Sequence, residues 1–97
     1  SGELRNSKAL PSLIQSLKDP SVSIRRESCI ALQKISDIQA LQNLVNCLDD
    51  EYQEVRYSAE IAIKIINPLP VKDLKKVYTC CSDRQKKHLD RLLKYQF

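Results

Sequence analysis

The sequence predicts an all-α fold made of stacked helical repeats, and three observations support this prediction. The chain repeats itself at an offset of 31 residues, which superposes residues 10–36 on 41–67. Apolar residues within each unit fall at the i, i+3, i+4, i+7 spacing of an amphipathic helix. Gly2 is the only glycine, so tight hairpin turns that need positive φ are disfavoured. A short internal period indicates units that must stack to bury their apolar faces, and the function of such a chain usually lies in a surface.

The first unit covers about residues 7–36 and contains two predicted helices. The apolar spacing places the first over about residues 7–18, and Asp19-Pro20 ends it because the residue before proline is disfavoured in the α conformation. The second helix is predicted over about residues 22–35. The residues expected to face inward on it are Ile24, Ser28, Ala31, Leu32 and Ile35. Small residues on this face let neighbouring helices approach closely, as a stacked array requires.

The second unit covers about residues 38–67 and repeats this plan. Its helices are predicted over about 38–48 and 51–66 from the same apolar spacing. Asp50 and Gln53 have the spacing of a capping box, in which the side chains at the N-cap and three residues later bond to each other's backbone. We therefore expect the second helix of this unit to begin just after Asp50.

The third unit, over about residues 71–96, is degenerate, because its offset from the second unit drops to 30 residues. Ser82 and Gln85 have the spacing of another capping box. Leu89 and Leu92 stand where the second unit has alanines. Larger apolar residues at these positions indicate a wider packing, and the polar outer positions are typical of a capping repeat.

Residues 1–97 are expected to form a single domain, since this length suits one small core. In the repeat frame Leu4 matches Ile35. This register predicts that the chain starts near the end of a preceding repeat and is the C-terminal piece of a longer solenoid.

Composition and cysteine placement exclude several classes of function. No apolar run approaches the roughly 18 residues of a membrane span, so we expect a soluble chain. Cysteines 29, 47, 80 and 81 lack the Cys-x-x-Cys spacing of a zinc site, and His88 is the only histidine. We predict no catalytic site, metal or cofactor. Free thiols favour a reducing, intracellular location, cytoplasmic with the nucleus left open, and a redox role for Cys80-Cys81 also stays open.

The residues from Ala9 to Pro20, followed by Val22-Ser23-Ile24-Arg25-Arg26 and Ala31-Leu32, resemble HEAT repeats of the phycobilisome-lyase type. The resemblance extends over residues 9–66 and is weak over 71–95, where Cys80 and Lys86 replace the aspartate and arginine of the pattern. It implies a HEAT-like α-α superhelix whose second helices line a concave binding face. It also implies that four residues are structural contacts between repeats, namely Asp19, Arg25, Asp50 and Arg56.

Charge distribution adds a second clue to function. Residues 1–70 carry eight Lys or Arg and nine Asp or Glu, whereas residues 71–97 carry eight and three. Projection at the repeat offset stacks Arg26, Tyr57 and Lys87 in one row of the second helices. The expected partner-binding residues of the concave face are Arg26, Ile30, Tyr57, Ile61, Lys64, Lys87, Arg91 and Lys94. Such a face suits an acidic or amphipathic segment of another protein, although Ile30 and Ile61 could equally pack between repeats.

The favoured function is therefore a non-enzymatic protein–protein interaction module, and two alternatives stay open. A nucleic-acid-binding HEAT-like array is less favoured, because the net charge of +4 is mild and only Tyr57 offers a stacking ring on the face. A subunit of a bilin-lyase-like enzyme is the other alternative. Deoxyhypusine hydroxylase has a similar architecture, but its repeated His-Glu pairs are absent here, since Leu89 follows His88.

Overall fold

The computed structural model describes residues 9–66 and 71–93, which form six α-helices and no strand within those ranges. The helices are α1 (Ala9–Ser16), α2 (Val22–Ile35), α3 (Leu41–Asn46), α4 (Gln53–Ile66), α5 (Val71–Cys80) and α6 (Asp83–Leu93). Short 3-10 turns, Ile38–Ala40 and Cys47–Asp49, extend α3 at both ends. In the described part of the chain, no helix has the length and apolar character needed to cross a bilayer.

α1 packs against α2 and α3 against α4, and a hydrogen bond from Tyr78 of α5 to Asp90 of α6 joins the last two helices. These three pairs stack on one another. The most extensive contact joins α2 to α4, the second helices of the first two units, and α4 also contacts α6. This arrangement confirms the predicted all-α, HEAT-like fold. Lys94, Leu4 and the other residues at 1–8, 67–70 and 94–97 lie outside the described residues.

One continuous core runs through the three helix pairs. Ala59 and Ala62 on α4 are completely buried, and their small side chains let α2 lie close against α4. The largest side chains exposed by less than 2 % include Leu32, Leu41, Leu44, Ile63, Leu89 and Leu93. Because α4 contributes to the core along its whole length, it is the central helix of the molecule.

One of the two predicted capping boxes is present at the start of its helix, and the other is not. Gln85 N donates to Ser82 Oγ at 3.1 Å and Ser82 N donates to Gln85 Oε1 at 3.0 Å, which confirms the capping box in front of α6. The box predicted for Asp50 is wrong, because α4 begins only at Gln53 and Asp50 Oδ1 accepts the backbone N–H of Tyr52 at 3.0 Å. This bond closes a turn of the chain before the helix starts.

Two further expectations are corrected. The first helix was expected to reach residue 18, but α1 ends at Ser16 and the chain then turns. Ile24 was expected to face inward, but 43 % of it is exposed. Val55 occupies the equivalent position on α4 and is completely buried. The difference arises because α4 has α2 beside it, whereas α2 has no extensive contact on its other side with any described helix.

Candidate binding face on the second helices

The structure places most of the predicted partner-binding residues on the solvent side of α2, α4 and α6, which we call the inner face. Tyr57 is 61 % exposed and is the most exposed large apolar residue in the described chain. Lys64, Lys87 and Arg91 are also exposed. The half-buried members are Arg26, Ile30 and Ile61. The predicted member Lys94 lies outside the described residues.

The centre of the inner face is a stripe along α4. Tyr57, Ile61 and Lys64 follow one another at i, i+4 and i+7, the spacing that puts side chains on one side of a helix. Ile65, at i+8, extends the stripe and is 46 % exposed. Ile65 was not among the predicted contact residues, although the same helical spacing from Tyr57 points to it. An aromatic ring, aliphatic side chains and a cation thus line one helix side.

Two arginines of the inner face are paired with carboxylates of the same surface. Arg26 Nη2 lies 3.1 Å from Glu27 Oε2, and Arg91 Nη2 lies 3.4 Å from Glu60 Oε2, a contact that links α6 to α4. Sequence reasoning missed both carboxylates. The offset of 30 residues aligns Arg91 with Ile61 and not with Glu60, so the repeat pattern carried no signal for this pair.

Lys64 and Lys87 differ from these arginines. Among residues 9–66 and 71–93, neither lysine takes part in an ion pair, and both are exposed. A solvated lysine outside an ion pair can offer its charge to an incoming ligand without breaking a contact. These two lysines are therefore the cations of the described inner face that are available to an acidic partner.

The four residues implied as structural contacts form a ladder along the edge of the stack. Arg25 Nε donates to Asp50 Oδ2 at 2.8 Å, and Arg25 Nη2 lies 3.3 Å from Asp50 Oδ1. Arg25 Nη1 also donates to the carbonyl oxygen of Asp19 at 2.7 Å. Only 14 % and 10 % of the Arg25 and Asp50 side chains are exposed. The hydrogen bond that Arg25 donates to Asp50 raises the pKa of Arg25 further above its ordinary value, so the guanidinium stays charged.

The ladder continues only halfway into the third unit. Arg56 Nη1 donates to the carbonyl oxygen of Asp50 at 2.6 Å, which repeats the bond from Arg25 to Asp19. The third unit has Cys80 and Cys81 near the position where an aspartate would meet Arg56. Besides Glu60, the carboxylate of Asp49 reaches the third unit, and its Oδ1 lies 3.7 Å from Nε of Arg84, a side chain that is 76 % exposed.

Among the described residues, no cysteine thiol is hydrogen bonded to His88, so the thiols form no Cys–His pair. The Cys29 thiol is hydrogen bonded to Cys47 and buried, and both effects raise its pKa. Burial likewise raises the pKa of Cys81, so this thiol of the Cys80-Cys81 pair is a weak nucleophile. His88 Nδ1 lies 3.4 Å from Arg91 Nη2. The guanidinium of an arginine stays protonated, so it is not a nucleophile that the imidazole could activate. No group of three or more His, Cys, Asp or Glu in this part of the chain could hold a metal.

A comparison with protein families agrees with this geometry. A family model described as HEAT repeats matches residues 2–64 of the chain. The chain belongs to the HEAT repeat family. HEAT repeats generally mediate protein–protein interaction and are generally non-catalytic. No curated protein matches the chain. The match ends within α4, and the phycobilisome-lyase subtype stays a prediction.

Proposed function

We propose that this HEAT repeat chain is a non-enzymatic interaction module whose inner face binds an acidic or amphipathic segment of another protein. The observation that supports this most is the α4 stripe, in which the 61 % exposed ring of Tyr57 lies on the same helix side as Ile61 and Lys64. Exposed tyrosine next to aliphatic side chains is a common composition for the centre of a protein–protein interface.

Charge indicates the chemistry of the partner segment. Lys64 and Lys87 are the inner-face cations without an ion pair among the described residues, so a carboxylate or phosphate of the partner gains their full attraction. Arg26 and Arg91 would have to exchange Glu27 and Glu60 for the partner, which reduces their net contribution. We therefore rank Tyr57, Lys64 and Lys87 first among the contact residues.

The same proposal assigns the ladder residues a positioning role. The contact from Arg25 to Asp50 fixes α2 against α4, and the contact from Arg56 to Asp50 fixes the start of α4. Both contacts determine how Arg26 and Tyr57 lie relative to each other. We also place the protein inside the cell, where the thiols of its four cysteines stay reduced.

The test compares three baits in affinity capture from a native lysate, with and without nuclease. The inner-face variant is Lys64→Glu/Lys87→Glu, and its matched control is Lys72→Glu/Lys75→Glu, which makes the same charge change at exposed positions of α5. Circular dichroism first establishes equal helicity. We expect the parent chain and the α5 control to capture the same proteins. The inner-face variant should capture at least about tenfold less of them, with or without nuclease.

Two results would contradict the proposal. Equal losses with the inner-face and α5 variants would show that only net charge matters. Capture that disappears with nuclease would move the function to a nucleic-acid-binding array, because phosphate contacts would then supply the attraction. A further variant, Tyr57→Ala, tests the apolar half of the interface, and we expect it to weaken capture of the same proteins without changing the net charge.

A further inference from the structure

Two cysteine thiols meet in the core where the first unit packs against the second. Cys29 lies on α2 and is completely buried, and Cys47 opens the 3-10 turn after α3 and is 7 % exposed. Both thiols are free, and Cys29 donates a hydrogen bond to Cys47. The pair therefore joins two different units of the repeat through a contact between sulfur atoms.

A second contact between the same two parts of the chain keeps the thiols together. Arg25 stands one helical turn before Cys29, so both side chains project from the same side of α2. The backbone N–H of Asp50 donates to the carbonyl oxygen of Cys47 at 3.1 Å, which closes the 3-10 turn. Arg25 Nε donates to Asp50 Oδ2 at 2.8 Å. The ion pair and the thiol pair are thus neighbouring contacts between α2 and this turn, and the ion pair limits how far the sulfurs can separate.

The other two cysteines are less suited to bonding with each other. Cys80 and Cys81 are adjacent in the chain, and a trans peptide bond holds consecutive Cα atoms about 3.8 Å apart. Disulfides usually join Cα atoms that are about 4.4–6.8 Å apart. Cys29 and Cys47 lie on separate elements and are free of this restriction. Because their sulfurs are already in contact, side-chain rotation is enough to bring them to the bonding distance of about 2 Å.

We infer that Cys29 and Cys47 are an oxidation site, at which a hydroperoxide converts the two thiols into a reversible disulfide that fixes α2 to the second unit. In the reduced protein, the Arg25–Asp50 contact is the polar link between these parts of the chain. The disulfide adds a covalent link one helical turn along α2 and restricts the unfolded chain, which stabilises the folded state. This inference does not depend on the inner face being a binding site.

Cys47 is the thiol that reacts first. It keeps some exposure, and the hydrogen bond from Cys29 lowers the pKa of Cys47, which favours the reactive thiolate. The Cys47 sulfur attacks the hydroperoxide, so that an S–O bond forms, the O–O bond breaks, and water or an alcohol leaves. The Cys29 sulfur then displaces the oxygen from Cys47 as water, taking up the proton of its own thiol, and the S–S bond forms. The two sulfurs together supply the two electrons that reduce the peroxide.

The test treats the folded chain with hydrogen peroxide in a Cys80→Ser/Cys81→Ser background, which leaves one cysteine pair. Peptide mass spectrometry without reduction should find Cys29 linked to Cys47. At a fixed urea concentration, the unfolding constant of the oxidised chain, measured by circular dichroism, should be at least about tenfold lower than that of the reduced chain. Dithiothreitol should restore the original value.

Cys47→Ser in the same background is the matched control, because it removes one sulfur and keeps a small polar side chain. Peroxide should leave its unfolding constant unchanged. The inference would be overturned if the folded chain formed no link between Cys29 and Cys47, whether the thiols stayed free or Cys47 ended as a sulfinic acid. A link that formed only in urea, or one that raised the unfolding constant, would also contradict it, because the folded contact would then not be the origin of a stabilising bond.

Discussion

The junction of the first and second units differs from that of the second and third, although both pack the same helices of the repeat together. At the first, Ala59 and Ala62 are completely buried and the Arg25–Asp50 pair lies at 2.8 Å with little exposure. At the second, Leu89 and its neighbours supply larger apolar side chains. Two ion pairs cross there, Arg91–Glu60 at 3.4 Å and Arg84–Asp49 at 3.7 Å, and 59 % and 76 % of their arginine side chains are exposed.

The two junctions thus use different sources of specificity. A shielded arginine–carboxylate pair with two contacts allows one register of α2 on α4, whereas exposed ion pairs contribute about 0–1 kcal/mol and tolerate movement. The second junction depends on leucine burial, which is strong but not directional. We conclude that α2 and α4 form the fixed part of the inner face and that α6 is held mainly by its apolar side.

The largest expected effect is at the second junction. Leu89→Ala removes a completely buried side chain from α6 and should lower the free energy of unfolding by about 2–5 kcal/mol, since the cavity adds to the lost burial. Chemical denaturation monitored by circular dichroism measures this change. Lys87→Ala on the same helix is the control and should stay within about 0.5 kcal/mol. Similar values for both variants would show that α6 is not anchored through its leucines.

The next effect separates the ladder contacts. Arg25→Gln removes a charged hydrogen-bonded partner of Asp50 and should cost about 1.5–3 kcal/mol. Arg56→Gln is the matched control, because Arg56 makes the same bond to a backbone carbonyl and has no cross-repeat carboxylate in the described chain. The denaturation midpoint should therefore fall further with Arg25→Gln than with Arg56→Gln. The difference between the two shifts reports on the contact with the Asp50 carboxylate. Equal costs would mean that Asp50 does not fix the first junction.

The smallest effect is a pH dependence within the third unit. Tyr78 of α5 donates to Asp90 of α6, and burial with this hydrogen bond raises the pKa of Tyr78 above its ordinary value. The folded state therefore prefers the protonated phenol. Its contribution to stability is complete below the unfolded pKa of about 10 and is lost as the pH rises further. Tyr78→Phe should reduce the loss of stability between about pH 9 and 11, and an unchanged pH profile would exclude this linkage.

The spacing of apolar and capping residues was sufficient to predict α2 and the start of α6. The second helix of the first unit was expected over residues 22–35 and has those bounds, and the Ser82–Gln85 capping box is present. Periodicity could not show that Ile24 is exposed, because burial depends on a neighbouring helix that lies outside the pattern. Periodicity also could not show that Arg91 is in an ion pair whereas Lys64 and Lys87 are not. The position of Glu60 beside Arg91 depends on how α4 and α6 pack together in three dimensions.

The most direct test of the inner face is hydroxyl-radical footprinting of the chain, free and saturated with the main nuclease-insensitive protein it captures. Tyr57 reports on the inner face, and the exposed thiol of Cys80 reports on α5 in the other layer of helices. We predict that binding lowers the reactivity of Tyr57 several-fold and leaves that of Cys80 unchanged. Protection of Cys80 with unchanged Tyr57 would contradict the account and place the partner on the first helices.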